Sequence, residues 1–184
     1  MDKIKKILDV QYYLIVQLLI DVEFQIKHQE MMQLGQLVPQ TNKRYLNHIA
    51  MLTSNNIITN LAKLIYQKEH HSFQKVVNLI EHNQAFKNKN DFIFFKEELK
   101  FIQQQGDKLK IKDIRDTYVA HLDITREFQP YNFVAIRDLI YHIQSSFEML
   151  FQSVTGESIL LDVDKNILTE LLDDFNYIIQ SNQG

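Results

Sequence analysis

An all-α fold, a bundle of about six to seven helices, is what this 184-residue sequence predicts. Three observations predict it. Only four glycines and two prolines occur, so tight turns are few and long helices are favoured over a many-stranded sheet. Apolar residues recur at three- and four-residue spacing through several long segments. No segment alternates convincingly with period two; residues 158 to 163 read at most as a short extended piece with nothing obvious to pair with. A hydrophobic content of 45% with 23% charged residues is ordinary for a globular chain long enough to bury a core. The length suits one domain, residues 1–184, in which residues 157–184 form an integral or an appended C-terminal helix.

The elements follow in order. Residues 2 to about 34 read as one helix, with Ile4, Ile7, Leu8, Ile15, Leu18, Leu19 and Val22 on a helical stripe, ended by Gly35 and Pro39. This stripe predicts a buried or dimer-forming helix. A second helix starts after Asn42 and carries Tyr45, Ile49, Leu52, Ile57, Leu61, Leu64 and Ile65, with Asn55-Asn56 as a bend or break. Ser72 is a plausible N-cap for a short helix to about Glu81, built on Phe73, Val76, Val77 and Ile80. Residues 83 to 90 read as a polar, basic loop. Asp91 caps a helix to Gln105, with Phe95, Leu99 and Ile102 on one face, and Gly106-Asp107 stops it. The next helix is expected from about Leu109 to Leu122. Pro130 punctuates, a long helix runs from about Asn132 to Val154, and Thr155-Gly156 ends it. Asp164 is expected to cap a last helix bearing Ile167, Leu168, Leu171, Leu172, Phe175 and Ile178.

Composition excludes several function classes. A net charge of −3 argues against a protein that coats nucleic acid electrostatically, though local positive charge in a cleft suffices for an enzyme acting on it. With no cysteine there is no disulfide, thiol nucleophile or cysteine-bound zinc, which fits a cytoplasmic location. The uncharged run after Lys3, Lys5 and Lys6 is bounded by Asp9 and Asp21, too short to span a bilayer and poor as a signal peptide, so no membrane partner is expected. There is no P-loop, no glycine-rich nucleotide fingerprint and no serine-nucleophile elbow. No cofactor is expected.

The most informative stretch is Arg115-Asp116-Thr117-Tyr118-Val119-Ala120-His121-Leu122-Asp123. Arginine is always cationic and histidine titrates near neutrality. Together they supply what phosphodiester cleavage needs: a charge for the phosphate and a group that moves protons. RNA carries its own nucleophile, the 2′-hydroxyl, so an enzyme need only align it, move protons and stabilise charge on the phosphorane. Arg115 can contact two phosphate oxygens through its planar fork, His121 can act as base or acid, and Asp116 can orient either. On a straight α-helix Arg115 and His121 point different ways, so two copies of the chain meeting across a two-fold axis would be needed to line one cleft.

This pattern, Arg, an adjacent acidic residue, five intervening residues and then Ala120-His121, resembles the signature of the HEPN superfamily. The wider context, Ile114-Arg115-Asp116 and Val119-Ala120-His121-Leu122-Asp123, looks like its AbiU2-like branch of abortive-infection proteins. The resemblance implies a metal-independent endoribonuclease acting as a homodimer on RNA, in phage defence or as a toxin with an antitoxin partner. Its implied site is Arg115, Asp116 and His121. In related toxins a tyrosine shortly after the histidine is a modification target; here Leu122 and Asp123 follow. A different class, a catalytically inert helical module binding a nucleotide or a protein partner through the same fold, is the alternative. An unrelated bundle dimerising through its first helix is a third.

Other features have blander readings. Arg137-Asp138-Leu139-Ile140-Tyr141-His142 repeats the Arg-to-His pattern with four residues between, and ranks lower because it lies mid-helix among bulky residues. Glu69, His70 and His71 are expected at the surface, since adjacent histidines diverge on a helix. His28, His48 and His82 lack ligand spacing. Phe92, Phe94, Phe95 and Phe101 read as core. The lysines from Lys87 to Lys112 read as a solvated face, with the rival role of guiding RNA to the motif.

Overall fold

The computed structural model describes residues 2–34, 40–66, 68–83, 89–119 and 131–161, together with Glu170 and Asp173. Among these residues the chain is all-helical: α1 (Asp2–Gln33), α2 (Gln40–Ile65), α3 (Phe73–His82), α4 (Lys89–Lys108), α5 (Ile111–Ile114), a π-helical turn (Arg115–Val119) and α6 (Phe133–Thr155). The all-α bundle is therefore the observed fold class.

The apolar stripes fill one core. Leu8, Ile15, Leu18 and Val22 of α1 are fully buried, as are Ile57, Ile58 and Leu61 of α2, Val76 and Ile80 of α3, and Ile140, Ile143 and Phe147 of α6. Helix α1 packs along both α2 and α6, and α4 packs on α6 and α3. The long apolar face of α1 is thus covered within the chain, the expected buried helix. Its few large exposed apolar side chains, such as Tyr13 and Met32, lie off that face.

A polar seam runs beside this core between α1 and α2. Gln25 donates to the Ala50 carbonyl, and Asp21 accepts from Gln17 at 2.8 Å and from Asn56. His28 Nε2 lies 3.2 Å from Asn47 Oδ1 and its ring stacks on Phe24. Buried polar groups persist where each finds a partner. Burial raises the Asp21 carboxyl above its ordinary value, opposed by the donors from Gln17 and Asn56. The seam explains why α2 does not break at Asn55-Asn56: Asn56 is spent on Asp21 and Asn60, so its amide no longer competes with the helix backbone. Leu52, expected in the core stripe, is instead exposed.

Caps account for the short elements. Ser72 accepts from the Lys75 amide at 3.3 Å and starts α3 as expected. Asn132 accepts from the Ala135 amide at 3.1 Å and starts α6, and Gly156 ends that helix at φ 80°, a left-handed conformation that glycine adopts without penalty. Two boundaries differ from expectation. Helix α4 runs through Gly106 to Lys108, because the missing side chain lets α4 lie against Ile65; an added Cβ would sit 3.2 Å from Ile65 Cδ1. The expected helix from Leu109 to Leu122 is instead the single turn α5, set off by left-handed Lys110 at φ 55° and followed by the π turn. After Gly156 the chain is extended and unpaired, held to α6 by the Leu161 amide donating to Glu148 and Gln144 donating to the Leu161 carbonyl. The expected last helix lies outside the described residues except for Glu170 and Asp173, both helical and exposed.

Candidate functional site

The Arg115 site is built by packing α2 against the end of α4. Tyr66, just past α2, donates to Asp107 Oδ1 at 3.2 Å. Burial, then the neighbouring Asp107 charge, pushes the Tyr66 hydroxyl up to about 12, so it stays a neutral donor. With α2 fixed there, the turn joining it to α3 carries Glu69 to the π turn. Arg115 Nη1 lies 2.9 Å from Glu69 Oε1, and Arg115 Nε lies 2.8 Å from Asp116 Oδ1. The arginine is 23% exposed, its partners 34% and 48%, so the cluster is a half-buried surface site. Burial alone would lower the guanidinium pKa; Asp116 and Glu69 outweigh it and the net shift is upward, so the group stays cationic.

Of the sequence-predicted site residues, the structure brings together Arg115 and Asp116. Ala120 and His121 lie outside the described residues. Glu69 was not legible as a member, because it is 46 residues away and read only as part of a loose Glu-His-His group. His70 of that group is exposed and sits 3.2 Å from Lys75 Nζ, whereas His71 Nδ1 is buried without a hydrogen-bond partner. The π winding also corrects the geometric premise for a dimer. The divergence of Arg115 and His121 assumed a straight α-helix, and residues 115–119 follow an i→i+5 path with a different angle per residue. Two carboxylates against one guanidinium leave the immediate cluster net negative. Lys108, Lys110 and Lys112, close by in sequence and exposed, counter it.

The second pair, Arg137 and His142, is five residues apart on regular α6, about 140° around the helix, and so cannot grip one phosphate. Each has its own surroundings. Arg137 Nε is 4.0 Å from Asp138 Oδ1. His142 Nε2 is 2.9 Å from Glu98 Oε2, close enough for a charge contact but not aligned as a hydrogen bond, so that buried atom has no hydrogen-bond partner. Ser146 Oγ donates to the same Glu98 oxygen at 2.9 Å, and Phe101 packs on the imidazole at 4.7 Å between ring centres. Serine and histidine both face the carboxylate and not each other, so this is not a nucleophilic triad. The phenylalanine cluster divides: Phe95 is core, while Phe94 and Phe101 are exposed. Among the described residues no three His, Asp or Glu side chains come together as a metal site, and no helix is long and apolar enough to cross a membrane.

No family model, curated protein or solved structure matches this chain.

Proposed function

We propose that the chain is a HEPN-like, metal-independent endoribonuclease whose site is built on Arg115, Asp116 and His121. The observation that carries the reading is the Asp116 carboxylate on Arg115 Nε, which holds the guanidinium plane in one orientation. Among the described residues its Nη2 group has no protein partner, leaving an edge for a phosphate oxygen. Placement on a π turn adds support, since such turns recur at functional sites. In the proposed reaction the 2′-oxygen attacks phosphorus as its proton passes to a His121 imidazole. The bond to the 5′-oxygen breaks, that oxygen takes up a proton, and a 2′,3′-cyclic phosphate remains. Arg115 stabilises the added charge on the phosphorane. A homodimer supplies two histidines for the two proton transfers. The biological setting proposed is phage defence or a toxin–antitoxin pair.

Incubation of the purified protein with total RNA tests this. Cleavage in excess chelator with cyclic phosphate ends is expected, and it should vanish in Arg115→Ala and His121→Ala chains whose circular dichroism is unchanged. Cleavage that needs a divalent ion and leaves 5′-phosphates, or that survives both substitutions, rejects the mechanism. One observation favours the inert-module reading: Glu69 already occupies Nη1 of Arg115. Under that reading RNA is left intact under all conditions.

A further inference from the structure

Helices α4 and α6 part toward the end of the bundle to leave a half-open cleft of about 460 Å³. This lies toward the small end of the range for small-molecule sites. From α4 it receives Phe101 and Lys108, seven residues apart and so on one face; from α6 it receives Asp138, Leu139 and His142, also on one face. Phe101 is 42% exposed, so an aromatic ring is open to a ligand.

The charges at this cleft are arranged unusually. Lys108 and Asp138 stand on opposite helices, yet they do not pair with each other, and among the described residues Lys108 has no ion pair. Asp138 has only the long 4.0 Å contact with Arg137. Apolar Leu109 and Leu139 line the wall between the two charges. Behind them His142 is braced by Glu98 through Nε2, and among the described residues its Nδ1 has no partner. An ammonium and a carboxylate that flank an apolar wall without neutralising each other are complementary to a small molecule carrying both charges and an apolar group.

We propose that the α4–α6 cleft binds a free α-amino acid with an aromatic or branched apolar side chain. The ligand carboxylate meets Lys108, with His142 Nδ1 as a second hydrogen-bonding group. The ligand ammonium meets Asp138, and its side chain lies over Phe101 and Leu139. This inference does not depend on the ribonuclease reading, because it concerns binding to the full chain without RNA.

Calorimetry and ligand-observed NMR with L-phenylalanine and L-leucine test it. Binding with a dissociation constant on the order of 0.1 mM is expected for so small a ligand. N-acetyl-phenylalanine, which lacks the ammonium, and phenylalanine amide, which lacks the carboxylate, should each bind at least about tenfold more weakly. Lys108→Ala and Asp138→Asn, both at exposed positions, should weaken L-phenylalanine by a similar factor with circular dichroism unchanged. Ala135→Leu should fill the cleft and remove binding; if that chain fails to fold, the two charge variants still decide. The proposal is overturned if neither amino acid binds at about 10 mM, if the blocked derivatives bind equally well, or if the charge variants bind like the parent. Tighter binding of a nucleoside monophosphate than of either amino acid also overturns it, since that ligand needs no carboxylate opposite the lysine.

Discussion

Glu69 and Asp116 share the donors of Arg115, and the two contacts differ in consequence. Asp116 is a neighbour in sequence and fixes the plane of the guanidinium; Glu69 comes from another element and competes with any anion that approaches. Glu69→Gln keeps the shape and removes one negative charge. Exposed pairs are worth about 0.2–1 kcal/mol, so binding of a short uncleavable RNA, followed by fluorescence anisotropy, should tighten by about two- to fivefold. Weaker binding would mean that Glu69 positions the arginine. His28 gives a second prediction. Burial holds its imidazole below 6.5, with the Asn47 contact opposing. The unfolded chain therefore takes up this proton first, and stability present above pH 6.5 is lost as the pH falls from there toward the folded value. Urea midpoints at about pH 7.5 and about pH 5.5 should show that drop, and His28→Gln should shrink it; an unchanged drop assigns it to other groups. At this scale Arg115 and Asp116 could be read from the sequence, because adjacent polar residues on a motif announce themselves. Glu69 and Glu98 could not, because only folding brings them to Arg115 and His142.

Elements were legible where a stripe and a cap agreed. Ser72 with Phe73, Val76, Val77 and Ile80 gave α3 its start and its face, and Asn132 with Gly156 bounded α6. They were misread where a residue's usual local preference was overridden by a neighbour. Gly106 reads as a stop, but here it is a contact surface for Ile65 inside α4. Gly106→Ala gains about 1 kcal/mol of helix propensity but crowds Ile65 at both Cδ1 and Cγ2, an overpacking that costs about 1–3 kcal/mol. A net loss of about 1 kcal/mol is expected from chemical denaturation. A gain would show that Ile65 yields freely. Nothing in the sequence marked Lys110 for a left-handed conformation, since lysine has no preference for it, so the division of the expected 109–122 helix was hidden.

The whole molecule is a closed bundle whose stripes all meet in one core, and this is why its class was legible before its details. Ile58 lies at the centre of that core and is fully buried, although the sequence reading passed over it in favour of Ile57. Ile58→Ala should cost about 2–5 kcal/mol in urea unfolding, and a cost under about 1 kcal/mol would mean that the bundle repacks around the gap. Assembly is a separate question. Helix α1 spends its apolar face inside the chain, so a dimer must form through other surfaces. Under the ribonuclease proposal, light scattering at micromolar concentration should give a mass near twice 21.9 kDa. Mixing Arg115→Ala with His121→Ala chains should restore part of the cleavage if each phosphate takes its arginine and histidine from different protomers. A fully active monomer would contradict the two-chain site.

The π turn at residues 115–119 works as an angular dial. It holds one residue more than an α turn closed over the same span, so removing a single residue there would let the backbone fall back to α winding. Everything beyond would then be rotated by roughly 100° about the local axis, with little change in reach. The number of residues separating Arg115 from whatever follows it is therefore a setting of direction as much as of distance. A one-residue deletion at Thr117 would leave the bundle standing and swing the downstream chain to face elsewhere.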